Sequence, residues 1–543
     1  MKHPLAVGSA VTLLVIAYAA PAIAAPDPRA GSWTPYPVAG LDVDQPKIDS
    51  DSSGTPTVAS ISGRSIMVST YRSGSWGCPI ELPGSIGESG YPPAMDVAAD
   101  GTVAVAGSNY APSPTAAAPQ DVWVSIRRPG EVNFSGAGTG TGHVPDANPA
   151  IATSGNRTIA IWTSDAGTKL MGAEFSTAGS TTPRVLAEGI DMAFAKIRMD
   201  DNGNAVMVYR SSSSDRLQQN WLLWPAGSAP QNAQRLDVPD PDDFVESGAF
   251  QVSGNGRMIL AAYDGRSGTD LPGAIRVFVG TTTTGFTQHS DISPTDPFNP
   301  SGILTGISSD GAHGALAFNW TQSGDAQSQS WLYSIDAQTG SAKSYGKLAQ
   351  PMETGITFSK ILLDGANIYA AWTDSNRNAL GGGIVKLEGS TVVPLTSIKT
   401  SDWIGMFNGP TGPAAYWPKQ EFPDTWKGTL VTTLPHKPLK AKPTMTKITI
   451  SRAGVVTVAG KVTPAAGATG CAGSTVTLTI RDTDYGFESA IMSAPVGKDG
   501  SFTATRTLAR FTGCKKAIVK AELSTSDSIR PASTERTAPC SRR

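Results

Sequence analysis

The chain has 543 residues, of which 58 are Gly and 40 Pro and only 16% are charged. That is too long for one simple core and too rich in turn formers for a helical protein, so a repeat array or several domains of short strands are expected. A net charge of −2 lacks the basic excess of a nucleic-acid-binding surface, and neither a phosphate-cradling glycine loop nor a Ser-His-Asp or Cys-His arrangement can be assembled from the motifs present.

In chain order, the first element is a leader. Residues 1–25 open with Lys2 and His3, run through the apolar "LAVGSAVTLLVIAYAA" and reach Ala22 and Ala24, the small-x-small pattern that signal peptidase accepts. Residues 1–24 therefore read as a signal peptide. The apolar run is shorter than the roughly 20 residues that cross a bilayer, and no later stretch of sequence qualifies. The expectation is a secreted protein, extracellular or associated with the cell wall, without a membrane span in the mature chain.

From residue 31 a pattern repeats. A turn of Asp, Asn or Ser with Gly, then an apolar strand, recurs in "SDSSGTPTVASI", "AADGTVAVAG", "TSGNRTIAIW", "DDNGNAVMVY", "SGNGRMILAAY", "SSDGAHGALAFNW", "LLDGANIYAAW" and "MFNGPTGPAAYW". The turn glycines Gly54, Gly101, Gly155, Gly203, Gly256, Gly311, Gly365 and Gly409 lie 44 to 55 residues apart. That period suits four short strands and their turns, the unit of a β-propeller blade. The fold expected is all-β, with an eight-bladed propeller over residues 31–433 and seven blades as the alternative. Each unit parses into an inner strand before the turn, a second strand after it, a third such as "KLMGAEF" or "DVWVSI", and a weaker fourth. The last unit lacks its fourth strand, while "GSWTPYPV" at residues 31–38 is a strand with no unit of its own. Pairing residues 32–38 into the last unit would close the ring and leave no open edge.

A Pro- and Lys-rich linker, residues 434–444, ends this region, and the composition changes after it, with none of the 12 Trp beyond Trp426. The alternating stretches "KITISRAGVVTVAGKV", "STVTLTIRD", "GSFTATRTL" and "KAIVKAEL" within residues 445–543 predict a small immunoglobulin-like β-sandwich. From residue 435 onward there are 17 Lys and Arg against 7 Asp and Glu, whereas the preceding residues hold 26 against 38. The expected tail is basic and the expected ring acidic. Four cysteines allow three complete pairings. Cys471 with Cys514 is favoured because each stands before a core-like strand of the same domain; Cys78 with Cys540 would then staple the tail to the ring.

The segment "AIWTSDAGTKL", residues 160–170, resembles the Asp-box (Ser/Thr-x-Asp-x-Gly-x-Thr-Trp) of sialidase-like propellers. Thr163, Asp165 and Gly167 match, but Lys169 and Leu170 stand where the box has Thr and Trp. In that family the box is an outer blade turn, so the resemblance implies scaffold. The sialidase Phe/Tyr-Arg-Ile-Pro segment is absent, and no catalytic residue carries over. Residues 31 to about 433 are closer to secreted actinobacterial propeller proteins with a "Gly-Asn-Ala-x-x-x-Trp" blade repeat, a likeness that implies architecture and no settled activity.

Metal chemistry has no pattern to support it: the histidines are isolated, and "DSDSSG" and "DDNGN" are fragments of a calcium loop without its terminal Glu. No cofactor is expected. The acidic residues 237–246 read as a solvated connection. Trp162, Trp320, Trp372 and Trp417 recur near the ends of second strands, where indoles fill the wedge between blades; the alternative is a set of sugar-stacking platforms. Candidate ligand contacts facing the central channel are Asp49, Asp96, Lys196, Arg198 and Asp200. The sequence reading is a secreted, non-catalytic binding or scaffold protein whose partner is a cell-wall or extracellular glycan or an envelope protein, and not nucleic acid. The alternatives are an extracellular glycan-active enzyme, a glycoside hydrolase or lyase with its site in the channel, and a protein–protein scaffold of the cell envelope.

Overall fold

The structure, a computed structural model, describes most of residues 33–434 and 441–539. It omits chiefly connections between strands, at 83–92, 109–121, 140–148, 237–249, 265–273, 293–297, 323–326, 375–380, 399–402, 421–427, 465–474, 483–487, 497–500, 508–515 and 524–532. The leader, all four cysteines and the acidic stretch 237–246 lie outside the described residues.

Every regular element among the described residues is a β-strand, as the turn-rich, charge-poor composition requires. The described residues between 36 and 432 form eight antiparallel sheets of four or five strands in a β-propeller arrangement. Each sheet begins with the strand that precedes a repeated turn: Asp44–Ser50, Ala94–Val97, Ala150–Ser154, Ile190–Met199, Phe250–Val252, Phe298–Ile307, Ile356–Asp364 and Gly405–Gly409. These eight inner strands touch one another in ring order, and the eighth touches the first.

The apolar second strands follow from this packing. In Arg157–Ser164, Ile159 and Ile161 pack against the fourth sheet while Ala160 and Trp162 pack against the second. Successive side chains leave a strand on opposite faces, and here both faces are covered, so the strand reads as one apolar run. Eight such cores fill the eight gaps between neighbouring sheets. Trp162, 1% exposed, anchors the gap between the second and third sheets, and its indole Nε1 meets no partner among the described residues. Trp162→Ala is therefore expected to cost about 3–5 kcal/mol, read as a lowered denaturation midpoint. Trp162→Phe, which gives up no hydrogen bond, should cost clearly less. Equal losses would mean the indole's size is not what the gap requires.

The strand expected near the mature N-terminus is Tyr36–Asp42, four residues later than the sequence suggested at its start. It pairs antiparallel with Gly428–Thr432 of the eighth sheet, Tyr36 opposite Thr432 and Pro37 opposite Val431. Val38, fully buried, joins a core shared by the eighth sheet (Phe407, Tyr416, Leu430) and the first (Val58, Tyr71, Trp76).

Seven of the eight turn glycines have φ between +50° and +89°; the exception is Gly409, whose repeat places positive φ at Gly412 instead. Gly409 precedes Pro410, which biases it toward extended backbone. The turns also latch to one another around the ring. Ser52 N and Oγ donate to Ala99 O, Thr102 Oγ1 and Arg128 Nη1 to Gly155 O, Arg157 Nη1 to Gly203 O, Asp201 N to Gly254 O, and Asn255 Nδ2 to Asp310 O.

Among the described residues the tail holds seven strands in two sheets, Ala441–Ile450, Val455–Pro464 and Ser501–Thr507 in one, Thr475–Asp482, Glu488–Pro495, Lys516–Leu523 and Ser533–Pro539 in the other. Their inner faces share one core around Val456, Val458, Val476, Leu478, Phe502 and Val519. The first strand begins inside the stretch expected to be linker. It is an edge strand, where Pro443 removes no ladder bond that the sheet needs, and Thr534 Oγ1 and Arg536 Nη1 reach across to Pro443 O and Met445 O at 2.6 and 2.7 Å.

Candidate functional site

The eight inner strands enclose a cavity of about 1770 Å³, and every one of them contributes to its wall. The first, second, fourth and fifth turns enclose five residues between paired strand ends. The penultimate residue of each inner strand there, Asp49, Asp96, Arg198 and Gln251, consequently occupies an equivalent place on the wall. Lys360, from the seventh inner strand, joins them, and Lys47 stands two residues before Asp49 on the same side of its strand.

Each carboxylate is tied to the next sheet. Asp49 Oδ1 accepts from Ser50 N at 2.8 Å and its Oδ2 from Val97 N at 3.2 Å; Asp96 Oδ2 accepts from Thr153 N at 2.6 Å. The cations are not tied in this way: no ion pair joins Lys47, Lys196, Arg198 or Lys360 to a carboxylate among the described residues. Arg198 Nη1 donates to Ile197 O, at 3.2 Å.

Crowding shifts the proton affinities of Asp49, Asp96, Lys47, Lys196 and Lys360. Burial, and then the charge of Asp49, push Asp96 up to about 7, against the pull of Arg198 and the Thr153 amide. Burial likewise raises Asp49, opposed by the Ser50 amide and by Lys360. Lys196 is lowered to about 8 by burial and then by the like charges of Arg198 and Lys47. Lys47 and Lys360 keep exposed surface along the cavity, yet protein packed around their ammonium groups lowers both, with Arg198 adding to the effect. A group of this kind favours release of its proton or capture of a counter-charge.

The cavity is chemically graded along its length. At the turn end the wall carries Asp51, Asp201 and Asp364. At the other end stand Trp403, just before the eighth inner strand, and Tyr416 opposite Gly405. Their rings meet edge to face, 5.3 Å apart, and burial pushes the Tyr416 phenol up to about 12. A Cβ on Gly405 would lie 2.2 Å from the Tyr416 ring, so the missing side chain is what seats the phenol at the wall.

Of the residues singled out in the sequence, Asp49, Asp96 and Arg198 line the cavity. Lys196 is set back from the wall, close enough to Arg198 and Lys47 for their charges to act on it. Asp200 belongs to the scaffold: 2% exposed, it accepts from Asn202 N, Asn204 N, Asn204 Nδ2 and Thr282 Oγ1. It turns away because it opens the turn, where an Asx carboxylate caps the backbone. Asp51 does the same with Ser53 N and Thr55 N, which accounts for the calcium-like spelling of both turns. Trp162, Trp372 and Trp417 fill gaps between sheets; the Trp320 side chain and Asp165 of the Asp-box-like segment lie outside the described residues. Lys47, Lys360, Trp403 and Tyr416 were not singled out in the sequence. A search of each repeat for polar residues just before the turn would have found Lys360.

No family model matches this chain, and no curated protein does. Solved structures similar to it include the Dos1 propeller (9% identity, TM-score 0.43, covering 75% of this chain and 95% of that one). A neuraminidase-like protein of little yellow-shouldered bat origin is similar at 11% identity and TM-score 0.34, over 63% of this chain and 92% of its own. The polysaccharide lyase Uly1 is similar at 10% identity and TM-score 0.34, over 66% of this chain and 90% of its own. At such distances they say nothing about the chemistry of this cavity.

Proposed function

We propose that the chain is an exported, non-catalytic binding protein in which an eight-bladed propeller takes a glycan of the cell envelope into its central channel and an immunoglobulin-like domain follows. The observation that carries this reading is a single large concave cavity to which all eight inner strands contribute, with hydroxyl, amide and charged groups on its wall and Trp403 at one end. Concave sites with a few convergent polar groups are where ligands bind, and an indole face complements the apolar face of a pyranose. The basic tail gives the protein a second, salt-sensitive attachment to an anionic wall. A panel of neutral and acidic oligosaccharides offered to the purified protein tests the reading. Saturable binding that is lost in Trp403→Ala, without release of shortened sugar, is expected; a panel on which nothing binds would overturn it.

A second reading, a glycan-active enzyme, draws on one observation. Asp96, held at about 7 beside Asp49, has the proton affinity of a general acid or base near neutral pH. New reducing ends or unsaturated products, formed by the intact protein and abolished by Asp96→Asn, would promote it over the first.

A further inference from the structure

Four cations converge on the channel, and the two carboxylates facing them are already committed to backbone amides. Lys47, Arg198 and Lys360 line the cavity from the first, fourth and seventh sheets, with Lys196 behind Arg198. None is ion-paired among the described residues. Ammonium and guanidinium groups gathered in a crowded wall repel one another, and they persist at a cost that an incoming anion offsets. Their placement also gives a direction. The turn end carries Asp51, Asp201 and Asp364, which repel an anion, whereas the opposite end carries Trp403 and Tyr416.

We propose that the channel binds an acidic glycan, entering past Trp403 and Tyr416 and setting an oxyanion of the sugar between Lys47, Arg198 and Lys360. The inference rests on the channel-binding reading and names the ligand class. The guanidinium of Arg198 supplies a planar pair of donors suited to a carboxylate, the lysines supply point charges, and Asp49 and Asp96 keep lone pairs that accept from sugar hydroxyls.

The pH dependence follows from a chain of neighbouring charges: Asp49 and Arg198 act on Asp96, Lys360 and Tyr416 face Asp49, and Arg198 and Lys47 act on Lys196. As pH falls from 8 to 6, Asp96 takes up a proton near 7 and Lys196 becomes fully charged below about 8. Both changes make the site more positive, Asp96 on the wall and Lys196 set back from it, while a uronate carboxylate stays ionised. Affinity for the acidic glycan should therefore rise several-fold over that range, and fall with added salt.

Titration calorimetry with an oligogalacturonate, its fully methyl-esterified neutral form, and inorganic sulfate makes the test, using the whole chain and the variants Lys360→Gln and Arg198→Gln. The acid form is expected to bind at least about tenfold more tightly than the ester, which corresponds to 1.4 kcal/mol, and each variant should remove most of that preference. Each variant relieves crowding among like charges but also removes a charge that Asp49 or Asp96 faces, so an unchanged far-ultraviolet spectrum and a cooperative thermal transition in each variant are the measure that separates lost binding from lost folding. Competition by sulfate would mean that the subsite reads oxyanions in general; its absence, with the acid form bound, would mean that the carboxylate is read within the sugar. Equal binding of acid and ester, unchanged in the variants, overturns the anionic subsite and leaves the channel reading standing. Binding of neither form also overturns it, and the neutral panel with Trp403→Ala then decides the channel reading on its own.

Discussion

A chain lacking residues 33–42 should unfold at a clearly lower temperature than the intact protein and should expose apolar surface before the main transition. The strand Tyr36–Asp42 is the fourth strand of the eighth sheet, although it comes from the other end of the sequence. Without it, Gly428–Thr432 becomes an open edge with unpaired backbone groups, and the core between the eighth and first sheets loses Val38, which is fully buried among Val58, Tyr71, Trp76, Phe407 and Leu430. Burying a valine contributes about 1.5–3 kcal/mol, and each ladder hydrogen bond about 1 kcal/mol net. The combined loss is thus several times the effect of an ordinary surface change. Its location matters more than its size, because the other seven sheets are each built from one continuous stretch of chain, whereas the eighth gains its fourth strand only by pairing with residues from the other end of the sequence. Calorimetry together with a dye that reports apolar surface makes the measurement. A midpoint that does not move would mean that the seam holds without the strand.

The parts of the fold that were legible in the sequence are those set by local chemistry. The turns are spelled by Asp, Asn, Ser and Gly because an Asx carboxylate and a left-handed glycine close them, and the second strands are spelled by apolar runs because both of their faces are covered. The orphan strand could be seen because it lacked a unit, although its register, settled by pairing to Thr432, could not. In the tail, the first strand was seen only from Lys447 onward and the last was missed, because there the local signal contradicts the outcome. Ala441–Ile450 carries Pro443 and Lys442, and Ser533–Pro539 is largely polar, yet edge positions tolerate both.

The channel was legible only in part, because it draws one or two residues from each repeat and no spacing within one repeat reveals them. Asp49, Asp96 and Arg198 could be found as polar residues on inner strands. Lys360 could have been found in the same way: it stands five residues before Gly365, as Asp49, Asp96 and Arg198 stand five before Gly54, Gly101 and Gly203, although the turn that follows its strand is shorter, Asp364 pairing directly with Asn367. Asp200 shows the converse: two residues beyond Arg198, it has the same chemistry as Asp49 and Asp96, and the turn it opens claims its carboxylate.

Gly54→Ala should be the most damaging of the single turn substitutions, and the reason lies across the same seam. Gly54 has φ +74°, and a Cβ there would stand 2.4 Å from Gly409 O and 2.6 Å from Gly409 C, both backbone atoms of the eighth sheet's turn. Gly155, in the equivalent turn of the third repeat, has φ +50° and nothing within 4 Å of the same atom. Gly155→Ala therefore carries only the left-handed backbone penalty, about 1–2 kcal/mol. Gly54→Ala carries that penalty plus an overlap with main chain that no rotamer can relieve, on the order of a further 1–3 kcal/mol. A backbone that cannot yield locally must move as a unit, so the overlap drives the eighth turn away from the first and opens the gap that Tyr36–Asp42 helps to close. The two changes should accordingly be coupled: in a chain already lacking residues 33–42 the seam has relaxed, and Gly54→Ala should cost little more than Gly155→Ala does. Urea midpoints of the four proteins, with and without the strand and with and without the alanine, give the coupling directly. Strict additivity, or equal costs at Gly54 and Gly155 in the intact chain, would show that the first and eighth turns do not bear on each other and that the ring is held at this point by the cores alone.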